Sequence, residues 1–111
     1  MAIAPEMPAA APVMPLELAA YQEGAVVSRT LLKRAGGTMT LFAFDEGQGL
    51  SEHTTPFDAV AQVLEGEAEI TIAGTPLKAT KGELVLMPAN QPHAVYARTR
   101  FKMLLTMIRS A

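Results

Sequence analysis

The sequence predicts an all-β domain of roughly nine or ten short strands, folded as a closed or nearly closed roll of two sheets. Turn signals interrupt β-prone runs at short intervals, no long helix-forming segment occurs, and 50% of the residues are hydrophobic. A chain of 111 residues has room for one core only. An open sheet would leave long unpaired edges, so we expect closure. An immunoglobulin-like sandwich is the alternative that the strand pattern leaves open.

The first strands are placed by the turn residues that end them. The run AVVSRTLLK stops at Gly36-Gly37, and TMTLFAF stops in the loop DEGQG. A strand centred on His53 breaks at Pro56, because proline removes an amide donor. The run AVAQVL then continues to Glu65-Gly66.

The remaining strands supply most of the predicted core. In EAEITI the residues alternate, so Ala68, Ile70 and Ile72 share one face. PLKA is a short strand, and HAVYA and FKMLLTMI complete the set. LVLM is apolar on both faces, as a strand buried between two sheets would be. We therefore expect Leu84 and Leu86 to belong to the core as well.

The first fifteen residues, MAIAPEMPAAAPVMP, hold half of the eight prolines in the chain. They cannot form a long helix or a central strand, and they lack the basic start and unbroken apolar segment of a signal peptide. We expect a flexible tail over residues 1–15 and a folded domain over residues 16–111. An arm that lies across a neighbouring subunit is the alternative for the tail.

Composition excludes several kinds of partner. The net charge is −2 and the basic residues do not cluster, which argues against binding to nucleic acid or to an anionic membrane. No run approaches the roughly 18 apolar residues of a membrane-spanning helix. The chain has no cysteine, which excludes disulfides and thiolate metal ligands. We expect a cytoplasmic protein of bacterial type.

Two short motifs bear on function. In the first, Gly47 is followed by five residues and then His53, and Gly66 closes the run VLEG. In the second, five residues separate Gly82 from a segment that continues as PANQPH and ends at His93. Glycine at 66 and 82 suits tight turns with positive φ, and the Asn of PANQPH is the side chain that best tolerates a left-handed conformation.

These motifs, with the phrases VLEGEAEITI and GELVLMPANQPHAV, resemble those of small single-domain cupins of the RmlC-like, conserved-barrel type. The resemblance spans about residues 26–108. It implies a double-stranded β-helix, the cupin jelly-roll barrel, with the motif histidines directed into the barrel mouth. Because small cupins usually pair, it also implies a homodimer, formed by sheet faces or by exchanged N-terminal strands.

The resemblance further implies four metal-ligand slots, three histidines and one glutamate. In this sequence the slots hold His53, Thr55, Ala59 and His93, so the ligand set is incomplete. We expect these four residues to line a ligand-binding pocket, with the two histidines as candidate metal ligands. Asp58 is a weaker candidate, because neighbouring residues on a strand point to opposite faces.

Two functions remain open at this point. The favoured one is a barrel that binds a small molecule in its mouth, with a degenerate metal site and no defined reaction. The alternative is a metal-dependent cupin enzyme of dioxygenase or isomerase type that acts on a small organic substrate. No cofactor is certain and no catalytic residue is assigned. Imidazole ligands would suit a divalent transition metal such as iron, nickel, zinc, manganese or copper.

Overall fold

The computed structural model describes residues 6–109, which form nine strands after a single turn of 3-10 helix at Pro15–Glu17. The strands are β1 Val26–Arg34, β2 Gly37–Phe44, β3 Gly49–His53, β4 Phe57–Glu65, β5 Glu67–Ile72, β6 Thr75–Thr80, β7 Leu84–Met87, β8 His93–Ala97 and β9 Phe101–Arg109. None of the described residues belongs to a helix that is long and apolar enough to span a membrane.

The strands form two antiparallel sheets that face each other. The five-stranded sheet has the order β1-β2-β9-β4-β7, and the four-stranded sheet has the order β3-β8-β5-β6. Successive strands often cross from one sheet to the other, as in a jelly roll. The predicted all-β double-sheet roll is therefore confirmed, and the immunoglobulin-like alternative is set aside.

The main core lies between the two inner faces. Ala68 and Ile70 are fully buried there, as predicted, and Ile72 packs at the margin of the same cluster. At one end, the rings of Phe44 and Phe101 stack with their centroids 4.4 Å apart. The pair fills that end of the roll with aromatic side chains, and we call it the closed end.

The prediction for β7 was wrong. Leu84 is 66% exposed and Leu86 is 56% exposed, although both were expected in the core. Leu86 pairs with Val60 of β4 and lies on the outer face of the five-stranded sheet, while Met87 points inward. Both faces of the strand are apolar, but a second sheet covers only one of them.

A second apolar cluster lies on the outer face of the same sheet. Leu18, Ala19 and Tyr21, just before β1, pack over Leu41 and Ala43 of β2. The segment between the 3-10 turn and β1 therefore covers one part of this face. The leucines of β7 lie on the edge strand of the same sheet, which β9 and β4 separate from β2, and they do not belong to this cluster.

Part of the predicted N-terminal tail contacts β1. The amide of Met7 donates to the carbonyl oxygen of Leu31 at 2.9 Å, and Glu6 forms an ion pair with Arg34 at 3.1 Å. Residues 1–5 lie outside the described residues, so the flexibility of the tail stays a prediction.

The turn between β4 and β5 requires glycine. Gly66 has φ +81°, and a Cβ there would collide with the carbonyl oxygen of Arg100 and lie 2.6 Å from Cβ of Phe101. The turn thus packs directly on the start of β9 at the closed end. Asn90, in the β7–β8 loop, has φ +64°, which agrees with the expectation for that motif position.

The opposite end of the roll is open, and we call it the mouth. β3 ends there at His53, and a short connection leads to Phe57 at the start of β4. Phe57 pairs with Arg109 at the end of β9. Gly37, at the start of β2, pairs with Ile108 at the same end.

Ile70 provides a test of the core. We expect Ile70→Ala to lower the free energy of unfolding by about 2–5 kcal/mol, because the lost methylene groups leave a cavity in a fully buried site. Ile70→Val should cost only about 0.5–1.5 kcal/mol. Denaturant unfolding at equilibrium measures both variants. A loss of less than about 1 kcal/mol for the alanine variant would show that the site collapses or is loosely packed.

Candidate functional site

The pairing of β3 with β8 brings the two histidines of the chain together. His53 and His93 are direct cross-strand partners, and their ring centroids lie 4.4 Å apart with an interplanar angle of 68°. His93 is only 5% exposed, whereas His53 is exposed at the mouth. The two motifs, forty residues apart in sequence, therefore meet at one place.

Backbone carbonyl groups orient both rings. Nδ1 of His53 lies 2.9 Å from the carbonyl oxygen of Ser51, and Nδ1 of His93 lies 3.3 Å from that of Gln91. Because a carbonyl oxygen can only accept a hydrogen bond, this geometry favours the tautomer with the proton on Nδ1. The lone pair of each neutral ring is then on Nε2, where it can accept a hydrogen bond or bind a metal.

His93 is biased toward its neutral form. Burial lowers the pKa of His93 below its usual value of 6.5, and proximity to the His53 ring lowers it further. Burial disfavours the charged imidazolium, and two imidazolium rings in contact would repel each other. At neutral pH the buried ring is therefore an acceptor and a potential ligand.

The two other predicted pocket residues differ in environment. The Thr55 hydroxyl accepts from the amide of Phe57 at 3.2 Å and lies at the same distance from its carbonyl oxygen. Thr55 therefore shapes the entry into β4 by a local turn. Ala59, in the glutamate slot, is 2% exposed and is the cross-strand partner of Met87 and Met107. A methyl group flanked by two methionines occupies the place that a carboxylate fills in the family motif.

Asp58 does not join the histidines. Its cross-strand partner on β9 is Ile108, which is exposed. Because Asp58 directly precedes buried Ala59 on the strand, the two side chains point to opposite faces. The Asp58 carboxylate accepts from the amide of Ala89 at 2.9 Å and thereby ties the start of β4 to the β7–β8 loop. The carboxylate therefore holds this loop in place and does not face the histidines.

The donor set does not fit the usual resident metal centre. Within residues 6–109, no group of three or more His, Cys, Asp or Glu side chains could hold a metal ion. Structural zinc sites use four protein ligands, and catalytic sites use about three. The His53/His93 pair supplies two nitrogen donors, so any metal bound there would take its other ligands from water or a bound small molecule.

Sequence reasoning missed a cavity of about 330 Å³ at the mouth end of the five-stranded sheet, and neither His53 nor His93 is among the residues that line it. Its lining includes Lys33, Thr38, Phe57, Met107 and Arg109. One feature of the sequence could have indicated it: Arg109 follows Met107 by two residues, so in a strand both side chains lie on the same face. Basic residues at strand ends are common, and nothing in the sequence indicated that these ends converge.

Comparison with known proteins supports the same fold. A family profile described as the cupin domain matches residues 40–109. A crystal structure of a conserved protein of unknown function from Streptococcus pyogenes is 32% identical, with a TM-score of 0.90 over 100% of this chain and 97% of the other. No curated protein matches the chain significantly.

Two further solved structures are similar. A cupin superfamily protein from Desulfitobacterium hafniense is 28% identical, with a TM-score of 0.88 over 98% of this chain and all of the other. A cupin 2 conserved barrel domain protein from Leptotrichia buccalis is 42% identical over 85% of this chain and 46% of the other, with a TM-score of 0.82. With a family profile that matches more than half of its length, this chain belongs to the cupin domain family.

Proposed function

We propose that this cupin binds a small molecule in the mouth of its barrel, with His53 and His93 on one wall of the binding site. The observation that carries the proposal is the contact between the two rings, one exposed and one buried. Such a pair offers acceptor or ligand nitrogens next to an apolar interior. Pockets of this kind combine apolar walls with a few polar groups that set the orientation of the ligand.

The residues in the other two motif slots favour binding over metal-dependent chemistry. Ala59 adds no donor, and the Thr55 hydroxyl is engaged with the backbone of Phe57. Thr55 and Ala59 would therefore contribute shape and apolar surface. The expected ligand is small and partly hydrophobic, with one polar or anionic end.

A metal-dependent enzyme of dioxygenase or isomerase type is the second candidate. It is favoured by the two Nε2 atoms, which are left available on signature positions of the family. Iron, nickel, zinc, manganese and copper all accept imidazole ligands. Elemental analysis of the purified protein, repeated on the His53→Ala/His93→Ala variant, tests this candidate. Metal present in equal amounts in both samples would exclude the pair as its site.

We also propose that the chain forms a homodimer through the uncovered part of the five-stranded sheet. The exposed apolar side chains there are Leu84, Leu86 and Ile108, next to partly buried Val60. A two-fold axis would pair this patch with itself and remove it from water. Exchange of N-terminal strands is the alternative, although Met7 is already bonded to β1 of its own chain.

Restoring the family ligands tests the pocket. We expect the Thr55→His/Ala59→Glu variant to bind nickel, iron or zinc at least about tenfold more tightly than the wild type, because two donors are added at one place. Without metal the variant should be less stable, since a carboxylate would be buried between methionines. Metal titration by calorimetry and thermal unfolding with and without metal measure both effects.

A matched control places the glutamate one residue further along β4. In Thr55→His/Val60→Glu the carboxylate points to the outer face, because Val60 pairs with exposed Leu86. This control adds one imidazole but no carboxylate to the site, so its metal affinity should lie between that of the wild type and that of the first variant. If the first variant folds and gains no affinity for any of the three metals, the histidines do not share a site with these slots.

The lowered pKa of His93 predicts how stability depends on pH. In the unfolded chain the pKa returns to about 6.5, so on acidification the unfolded state takes up the proton first. The contribution of His93 to the free energy of unfolding is fully present above about pH 6.5. It is lost as the pH falls through that value toward the lower pKa of the folded protein. Metal-free protein should therefore lose stability in this range. His93→Gln should flatten the profile, and an unchanged profile would contradict the assignment.

The dimer prediction is tested by light scattering. We expect dimer mass at micromolar concentration for the wild type and monomer mass for Leu86→Arg, because a buried unpaired charge would oppose association. Leu77→Arg, on the edge strand of the other sheet and 40% exposed, is the control and should remain dimeric. Removal of residues 1–15 should also leave the dimer intact. A wild-type monomer would overturn the proposal, and a dimer lost only on truncation would indicate strand exchange.

A further inference from the structure

Three of the residues that line the cavity, Lys33, Thr38 and Met107, lie in one row of inward-facing positions that continues to the glutamate slot. Across the five-stranded sheet, Lys33 pairs with Thr38, Thr38 with Met107, Met107 with Ala59, and Ala59 with Met87. Directly opposite residues in antiparallel strands point to the same face. The glutamate slot of the family motif therefore lies in the same row as a lysine, and this row contains no carboxylate.

An arginine lies over the apolar wall of the cavity. Arg109 is the cross-strand partner of Phe57, and its guanidinium carbon lies 5.6 Å from the centre of the Phe57 ring. The attraction between the cation and the face of the ring favours a guanidinium placed beside Phe57, where its N–H groups can donate to a ligand. Met107 continues the apolar wall beside the ring.

The cations of this cavity differ in their partners. Arg34 is held in an ion pair by Glu6 at 3.1 Å. Among residues 6–109, no carboxylate lies within ion-pair distance of Lys33 or Arg109. Two cations beside an apolar wall focus positive potential into the cavity and favour an anionic ligand. A carboxylate suits the planar edge of arginine, which can donate two parallel hydrogen bonds to it.

We propose that Arg109 and Lys33 hold the carboxylate of a small ligand whose apolar body lies against Phe57 and Met107. The inference rests on the proposed function in one respect, that the ligand occupies the mouth of the barrel. It does not depend on a metal at the histidines. A volume of about 330 Å³ admits a short-chain or single-ring acid.

The absence of glutamate at position 59 is consistent with this ligand class. A carboxylate in that slot would stand in the same row as Lys33 and would repel the anionic ligand. Ala59 does not itself line the cavity, but it places no negative charge beside Met107, so the positive potential of the cavity is not reduced. The residue that removes a metal ligand thus also keeps a negative charge away from a bound acid.

The test compares hexanoate with hexanamide, which has the same chain and no charge, on metal-free full-length protein. Calorimetry gives the affinities, and NMR of 13C-methyl methionine reports contact at Met107. We expect hexanoate to bind at least about tenfold more tightly than hexanamide, because charge-assisted hydrogen bonds are stronger than neutral ones. Arg109→Gln and Lys33→Gln should each weaken hexanoate and leave hexanamide unchanged.

Two variants control for loss of one positive charge elsewhere. Arg98→Gln matches the arginine change and Lys81→Gln the lysine change, both in turns outside the cavity. Both should bind hexanoate like the wild type. Equal affinity for acid and amide, equal affinity in Arg109→Gln and Arg98→Gln, or no binding of hexanoate at about 10 mM would each overturn the carboxylate site.

The His53→Ala/His93→Ala variant separates this inference from the proposed function. If hexanoate binding survives in that variant and is lost in Arg109→Gln, the carboxylate site stands and the role proposed for the histidines fails. If binding is lost in the histidine variant and unchanged in Arg109→Gln, the histidine-lined site stands and the carboxylate site is overturned.

Discussion

The register of β9 between β2 and β4 is the constraint on which the rest of the structure depends. β9 pairs with both neighbours along its length, and so it determines which side chains of three strands share the inner face. With this register Met103 is buried in the main core and Ile108 is exposed. A slip by one residue would exchange the two faces, placing core residues in water. The row from Lys33 to Met87 would also be lost.

The two ends of the roll have different chemistry because they are closed by different residues. At one end, the Phe44–Phe101 stack and the tight turn at Gly66 fill the space between the sheets. At the other end, β1, β3 and β9 end on Arg34, His53 and Arg109, side chains that can carry a positive charge. The open end is free to carry groups that would be costly to bury, which is where a binding site can evolve.

Replacement of a glutamate by alanine changes more than ligand count. In the family motif that slot supplies both a donor and a negative charge, whereas Ala59 supplies a methyl group between two methionines. The buried ring of His93 then has a neutral neighbourhood, and its low pKa follows from burial and from His53. The mouth becomes apolar with a positive rim. That electrostatic character supports the proposal of an anionic organic ligand.

Alternation and turn residues are local features of the sequence, and they predicted the fold class and most of the strand ends. The meeting of His53 with His93 was implied by the resemblance of the two motifs to those of cupins. The sequence also indicated that Asp58 and Ala59 point to opposite faces, since neighbouring side chains alternate along any strand whatever packs against it. The exposure of Leu86 and the convergence of Lys33 and Arg109 on one cavity follow only from the folded chain. The physical reason is that a strand pattern records which residues share a face but not which surface covers that face. Which segment packs against a given face depends on the order and register of the strands, and these are set by pairings between strands far apart in the chain.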